Sequence, residues 1–93
     1  MTIGALYLDL MLPPGQSLKE KRSVLKRVTE QLRRQFNISV AEVADQDRWQ
    51  RAGLGVAAVG SDRRYVNGQL SQVVEWMRAS RLVELIDYQL QLY

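Results

Sequence analysis

From Thr2 to Leu12 the apolar side chains alternate: Leu6, Leu8, Leu10 and Leu12 share one face, and Ile3, Ala5, Tyr7, Asp9 and Met11 the other. Residues two apart point the same way in a strand, so this period predicts one. Pro13, Pro14 and Gly15 end it. The period then changes to that of a helix. Ser17 and Glu20 match a capping box, and Leu18, Leu25, Val28, Leu32 and Phe36 follow at helical spacing with Val24 on the flank. Asn37 suits the helix end. Asn37–Ala44 reads as a second strand whose faces are less distinct, as expected of an edge strand or a bulge.

Asp45–Arg51 reads as a polar connection with room for a helical turn, and Ala52–Gly60 as a third strand. Ser61 or Asp62 can cap a second helix, in which Val66, Leu70, Val73 and Met77 form the apolar stripe. Leu82–Tyr93 is the last strand, with Ile86, Tyr88, Leu90 and Leu92 expected on one face. The order β-α-β-β-α-β predicts a ferredoxin-like α+β fold: a four-stranded antiparallel sheet with two helices on one face. At 93 residues the chain has length for one such domain, 1–93.

Composition narrows the chemistry. Cysteine and histidine are both absent, which removes disulfides, thiolate catalysis, the usual zinc ligand sets and every Ser-His or Cys-His arrangement. A cysteine-free chain fits the reducing cytosol, so a cytoplasmic location is expected. Met1–Leu12 does not read as a signal peptide: it lacks a basic start and carries Asp9. The weakly polar run Ala52–Gly60 is too short to span a membrane.

The net charge of +3 is unevenly spread. Ser17–Phe36 contains Lys19, Lys21, Arg22, Lys26, Arg27, Arg33 and Arg34 against Glu20 and Glu30, so the positive excess of the whole chain belongs to the first helix. At 100° per residue Lys19, Arg22, Lys26 and Arg33 fall in a sector of roughly 60°, with Arg27 and Arg34 beside it. Such a ridge matches a phosphate backbone, because each neutralised phosphate releases condensed counterions. A merely solvated face is the alternative. Lys21 stands apart, since its wheel position lies inside the apolar stripe. Either its stem packs and its ammonium snorkels to water, or the ammonium faces a ligand near the Pro13-Pro14-Gly15 turn.

Three further groups carry candidate chemistry. Arg48, Trp49 and Arg51 form a second candidate RNA contact, an indole between two guanidiniums; the alternative folds Trp49 onto the core edge. Glu42, Asp45 and Asp47 could attract Mg²⁺, but their spacing fits no defined metal loop and turn roles are expected instead. The open sheet face should carry Tyr7, Asp9 and Met11, then Gly53, Gly55 and Ala57, then Asp87, Gln89 and Gln91. Its third strand lacks the stacking aromatics of an RNA-recognition motif, and its small residues could admit another backbone. "GLGVAAVG" lies in a strand pattern without the lysine of a phosphate loop. No catalytic residues, cofactor or metal are expected.

The stretches "SLKEKRSVLK" and "NISVAEVADQDRWQRAGLGVA" resemble the YlxP-like family of small bacterial proteins, a domain of unknown function. The resemblance runs from about Thr2 to the final "DYQLQLY". Its motif positions here are Ser17, Leu18, Lys19, Lys21 and Arg22, then Glu42, Asp45, Gln46, Asp47, Trp49, Gln50 and Arg51. Ala44 stands where the family commonly has an acid. The resemblance implies a ferredoxin-like fold and no established catalysis. Family genes beside those for translation initiation factor two and ribosome-binding factor A imply a link to ribosome assembly or translation. Two partners are therefore expected: RNA or a ribosomal subunit on the first helix, or a protein or second copy on the open sheet face, with no membrane.

Overall fold

A computed structural model describes residues 1–15 and 17–93. The elements are β1 (Thr2–Met11), α1 (Leu18–Gln35), β2 (Ser39–Ala44), β3 (Arg51–Gly60), α2 (Arg63–Ala79) and β4 (Glu84–Leu92). The strands form one antiparallel sheet in the order β2-β3-β1-β4. Both helices cover the same face, α2 across β1, β3 and β4 and α1 toward β2. This is the expected ferredoxin-like arrangement.

The alternation in β1 sorts its residues as read: Leu6, Leu8 and Leu10 are buried, while Ile3 and Met11 are exposed. The residues paired with that leucine row, Leu54, Val56 and Ala58 of β3, are buried too. Leu25, Val28 and Leu32 of α1 and Val66, Leu70, Val73 and Met77 of α2 close the core from above. The capping box forms: Ser17 Oγ accepts from the Glu20 N–H at 3.2 Å, and Glu20 Oε1 accepts from the Ser17 N–H at 3.4 Å. Asp62, not Ser61, caps α2 by accepting from the Arg64 N–H at 3.0 Å.

Four local expectations change. Helix α1 ends in an extended Phe36 cap, so Asn37 supplies no left-handed cap. The second strand starts at Ser39, because Ile38 N–H turns back to donate to Phe36 O at 3.0 Å. The polar connection holds turns but no helix, and Arg51 already belongs to β3. In β4 the register shifts between Asp9 and Leu10 of β1, which leaves Ile86 as the extra residue. Leu85, opposite Leu10, takes the core side, and Ile86 is exposed. Strict alternation cannot foresee that shift, because a bulge inserts one residue and exchanges the faces beyond it.

Gly4 sets how closely α2 approaches the sheet. A Cβ there would lie 2.5 Å from Leu70 Cδ1 and 2.8 Å from Val66 Cγ1, and both side chains are fully buried. Neither can swing into free space. Gly4→Ala should therefore destabilise the fold by about 1–3 kcal/mol, as overpacking does. Urea unfolding of the two proteins measures it, and an unchanged midpoint would refute this close approach.

Candidate nucleic-acid interface

Helix α1 buries one side and turns its cations away from it. Lys19, Arg22, Lys26, Arg27, Arg33 and Arg34 are all exposed. Among the described residues, none of the six forms an ion pair with a carboxylate. Arg33 is partly committed, since its Nη2 donates to Val40 O at 2.7 Å. The remaining five present free charge along the helix. Exposed like charges four or so residues apart repel weakly, so the ridge costs helix stability and is relieved by a polyanion.

Lys21 does something else. Its wheel position inside the stripe was read correctly, but its ammonium neither snorkels nor faces a ligand. The residue is 1% exposed. Its Nζ donates to Asp45 O at 2.7 Å and to Arg48 O at 2.5 Å, and it lies 3.0 Å from Glu42 Oε2. The approach to Glu42 is too bent for a directed hydrogen bond and acts as an ion pair. The ammonium thus donates to two carbonyls and is paired by charge with one carboxylate. Lys21 is removed from the candidate RNA contacts, because no phosphate can reach it.

The same lysine explains the β2–β3 connection. Glu42 lies opposite Leu54, on the helix-covered side of the sheet, and Val43 is the extra residue of a bulge. Asp45 then takes a left-handed φ of 60°, which Asp tolerates better than most residues. The turn closes with Arg48 N–H donating to Asp45 O and Leu12 N–H donating to Gln50 O. Lys21 thereby ties the first turns of α1 to residues 45–48. Arg48, whose side chain is 66% exposed, and Trp49, 47% exposed, are carried beside the N-terminal half of α1. Trp49 is not folded away into the core, and neither guanidinium stacks on it.

Arg51 leaves the group. It points to the open face of the sheet, where Nη2 donates to Asp9 Oδ2 at 2.7 Å. That bond, and then the charge of Asp9, hold the guanidinium above its ordinary pKa. Tyr7 lies alongside: its phenol is pushed up first by burial and then by Asp9 and Asp45, with Arg51 partly offsetting them. A Cβ on Gly53 would collide with the Tyr7 hydroxyl, so the space that glycine leaves is filled by the chain's own ring. Lys21 and Asp9 lie on opposite faces of the sheet. No group of three acids is placed to share a metal ion among the described residues: the Glu42 carboxylate pairs with Lys21, and the Asp45 carboxylate lies 3.7 Å from the Arg48 guanidinium.

Sequence reasoning missed Arg63 and Arg64. The pairing of Thr2 with Gly60 puts the start of α2 at the same end of the sheet as Arg33 and Arg34. Both arginines are exposed in a first turn that contains no acid. Cations there oppose the helix dipole, and that unfavourable placement was the available signal.

Comparison with known proteins agrees with this architecture. The family described as "Protein of unknown function (DUF503)" matches residues 3–90. The chain belongs to that family. The uncharacterized protein YlxP of Bacillus subtilis (strain 168) is 39% identical over 75 residues, covering 81% of this chain and 82% of the relative. The expected YlxP-like membership is thereby shown. Among solved structures, a mutant of SnoaB, a cofactor-independent oxygenase from Streptomyces nogalater, superposes with a TM-score of 0.52 at 13% identity. It covers 98% of this chain and 90% of that one, and likeness at this identity speaks to the fold alone. A de novo designed protein, Ferredog-Diesel, reaches 0.46 at 12% identity, over 98% of this chain and 84% of its own.

Removing the Lys21 ammonium should leave two carbonyls without their donor and the Glu42 carboxylate without its counter-charge. Lys21→Met should cost about 3–5 kcal/mol in urea unfolding, the cost of breaking a buried pair. Lys19→Met, on the exposed side, should stay within about 0.5 kcal/mol of the parent. Equal effects would refute the structural role of Lys21.

Proposed function

We propose that this family member is a non-catalytic factor that docks on structured RNA, ribosomal RNA foremost, through the outer face of α1. The observation that carries the reading is the row of five exposed cations, Lys19, Arg22, Lys26, Arg27 and Arg34, that no carboxylate neutralises among the described residues. Arginine grips phosphate with two parallel bonds and lysine acts as a point charge, so the mixture suits a backbone more than a single small anion. Arg48 and Trp49 extend the surface at one end, and Arg63 and Arg64 at the other. The link to ribosome assembly that the family resemblance implies points the same way. No helix among the described residues is long and apolar enough to cross a membrane. The reading needs no cofactor, and a cytoplasmic site of action accords with an RNA partner and a cysteine-free chain.

Binding to ribosomal subunits or to a structured ribosomal RNA fragment should weaken with salt. With five phosphates engaged, log K should fall against log salt with a slope of roughly −3.5 to −4.5. Lys19→Glu, Arg22→Glu and Lys26→Glu together should abolish binding with the urea midpoint nearly unchanged. A flat salt response, or binding that survives the triple reversal, would overturn the reading. Arg63→Glu gives an independent check at the far end. It should weaken binding while stabilising the fold by about 0.3–1 kcal/mol, because an acid suits a helix N-terminus.

A further inference from the structure

We propose that Trp49 is a stacking platform for one unpaired base, so that the RNA this protein takes is a paired stretch interrupted or ended by an unpaired nucleotide. This platform extends, and rests on, the reading of α1 as an RNA surface. Trp49 is the exception in its turn. Asp45, Gln46, Asp47, Arg48 and Gln50 around it are polar, and the indole is exposed among them.

The backbone on either side of the indole is fixed. Arg48 O accepts from Lys21 Nζ, and Gln50 O accepts from the Leu12 N–H at 2.9 Å. Asp45 O, where the turn begins, accepts from Lys21 Nζ and from the Arg48 N–H at 3.0 Å. One clamp reaches α1 and the other reaches the end of β1. An indole held out on a fixed backbone loses little freedom when a ring settles on it, so more of the contact goes into affinity.

The surroundings decide which ring. A tryptophan that anchors a protein contact sits in a desolvated pocket. The polar neighbours of Trp49 would all have to be stripped of water to make one. A nucleobase needs only the face of the indole, and its edges can stay wet. The charges of the turn admit the base and not its backbone. Arg48 is partly spent on Asp45, 3.7 Å away, and Asp47 is exposed with no ion-pair partner among the described residues. Phosphates therefore stay on the cations of α1, whose backbone is one lysine side chain and one hydrogen bond from the Arg48 carbonyl. Lys19 to Arg34 span roughly 22 Å of straight helix, a rigid row suited to a paired stretch. Bases inside a duplex are stacked on one another and cannot cross to the turn; a bulged or terminal unpaired base can.

Two RNAs test this: a blunt duplex of about 16 base pairs, and the same duplex with one bulged 2-aminopurine. The full chain should bind the bulged RNA about 5- to 150-fold more tightly than the blunt one. In a Trp76→Phe background, which leaves Trp49 as the one indole, the bulged RNA should quench indole fluorescence and the blunt duplex should not. Trp49→Ala should lower the affinity for the bulged RNA to that for the duplex, with the duplex affinity and the urea midpoint unchanged. Trp49→Phe should keep part of the preference. If neither RNA binds at low salt, the reading of α1 falls and the platform with it. If both bind alike, or if Trp49→Ala keeps the preference for the bulged RNA, the reading of α1 stands and the platform alone is overturned.

Discussion

One buried ammonium organises this protein's candidate surfaces. Lys21 takes a position in α1 that the helical period assigns to a core side chain, and it brings a charge there. A charge nearly shut off from water needs strong partners, and the chain provides Glu42, Asp45 O and Arg48 O. Those partners belong to β2 and to the turn after it. The price of burying the lysine is therefore also the geometry of the turn, including the left-handed Asp45. An apolar residue in its place could fill the volume but could not hold two carbonyls in position.

This constraint separates the basic residues by role. Lys21 and its neighbours Lys19 and Arg22 differ by one or two positions in sequence and by roughly 100° or more around the helix. One is sequestered and the other two reach solvent. Arg51 is separated from Arg48 by the start of β3, which turns it to the far side of the sheet and onto Asp9. The segment that reads as a continuous arginine–tryptophan patch is thus divided between two surfaces. Only its first half remains beside α1.

The two faces of the molecule now have distinct electrostatic character. The helical side carries unneutralised cations over an apolar core, and the sheet side carries apolar groups with its central charges paired. Long-range attraction suits the first, where desolvation is small and salt screens the field. Contact burial suits the second, where small side chains allow close approach. A ferredoxin-like sheet permits this division because its helices cover one side only, and the fold by itself assigns neither surface a task.

Periodicity alone was enough for the element order, the leucine face of β1, the stripes of α1 and α2, the Ser17–Glu20 cap and the anomalous wheel position of Lys21. These are local properties, since a side chain's direction along one strand or helix follows from its spacing. The indistinct faces of Asn37–Ala44 marked β2 as an edge or bulged strand, but the place of its bulge at Val43, the bulge at Ile86, the cap at Phe36, the partners of Lys21, and the position of Arg63 and Arg64 at the same end of the sheet as the end of α1 were not legible in that way. Each depends on which strand lies alongside and in what register. That is decided when the sheet assembles, because hydrogen-bond pairing between distant segments has no counterpart in the spacing of either one.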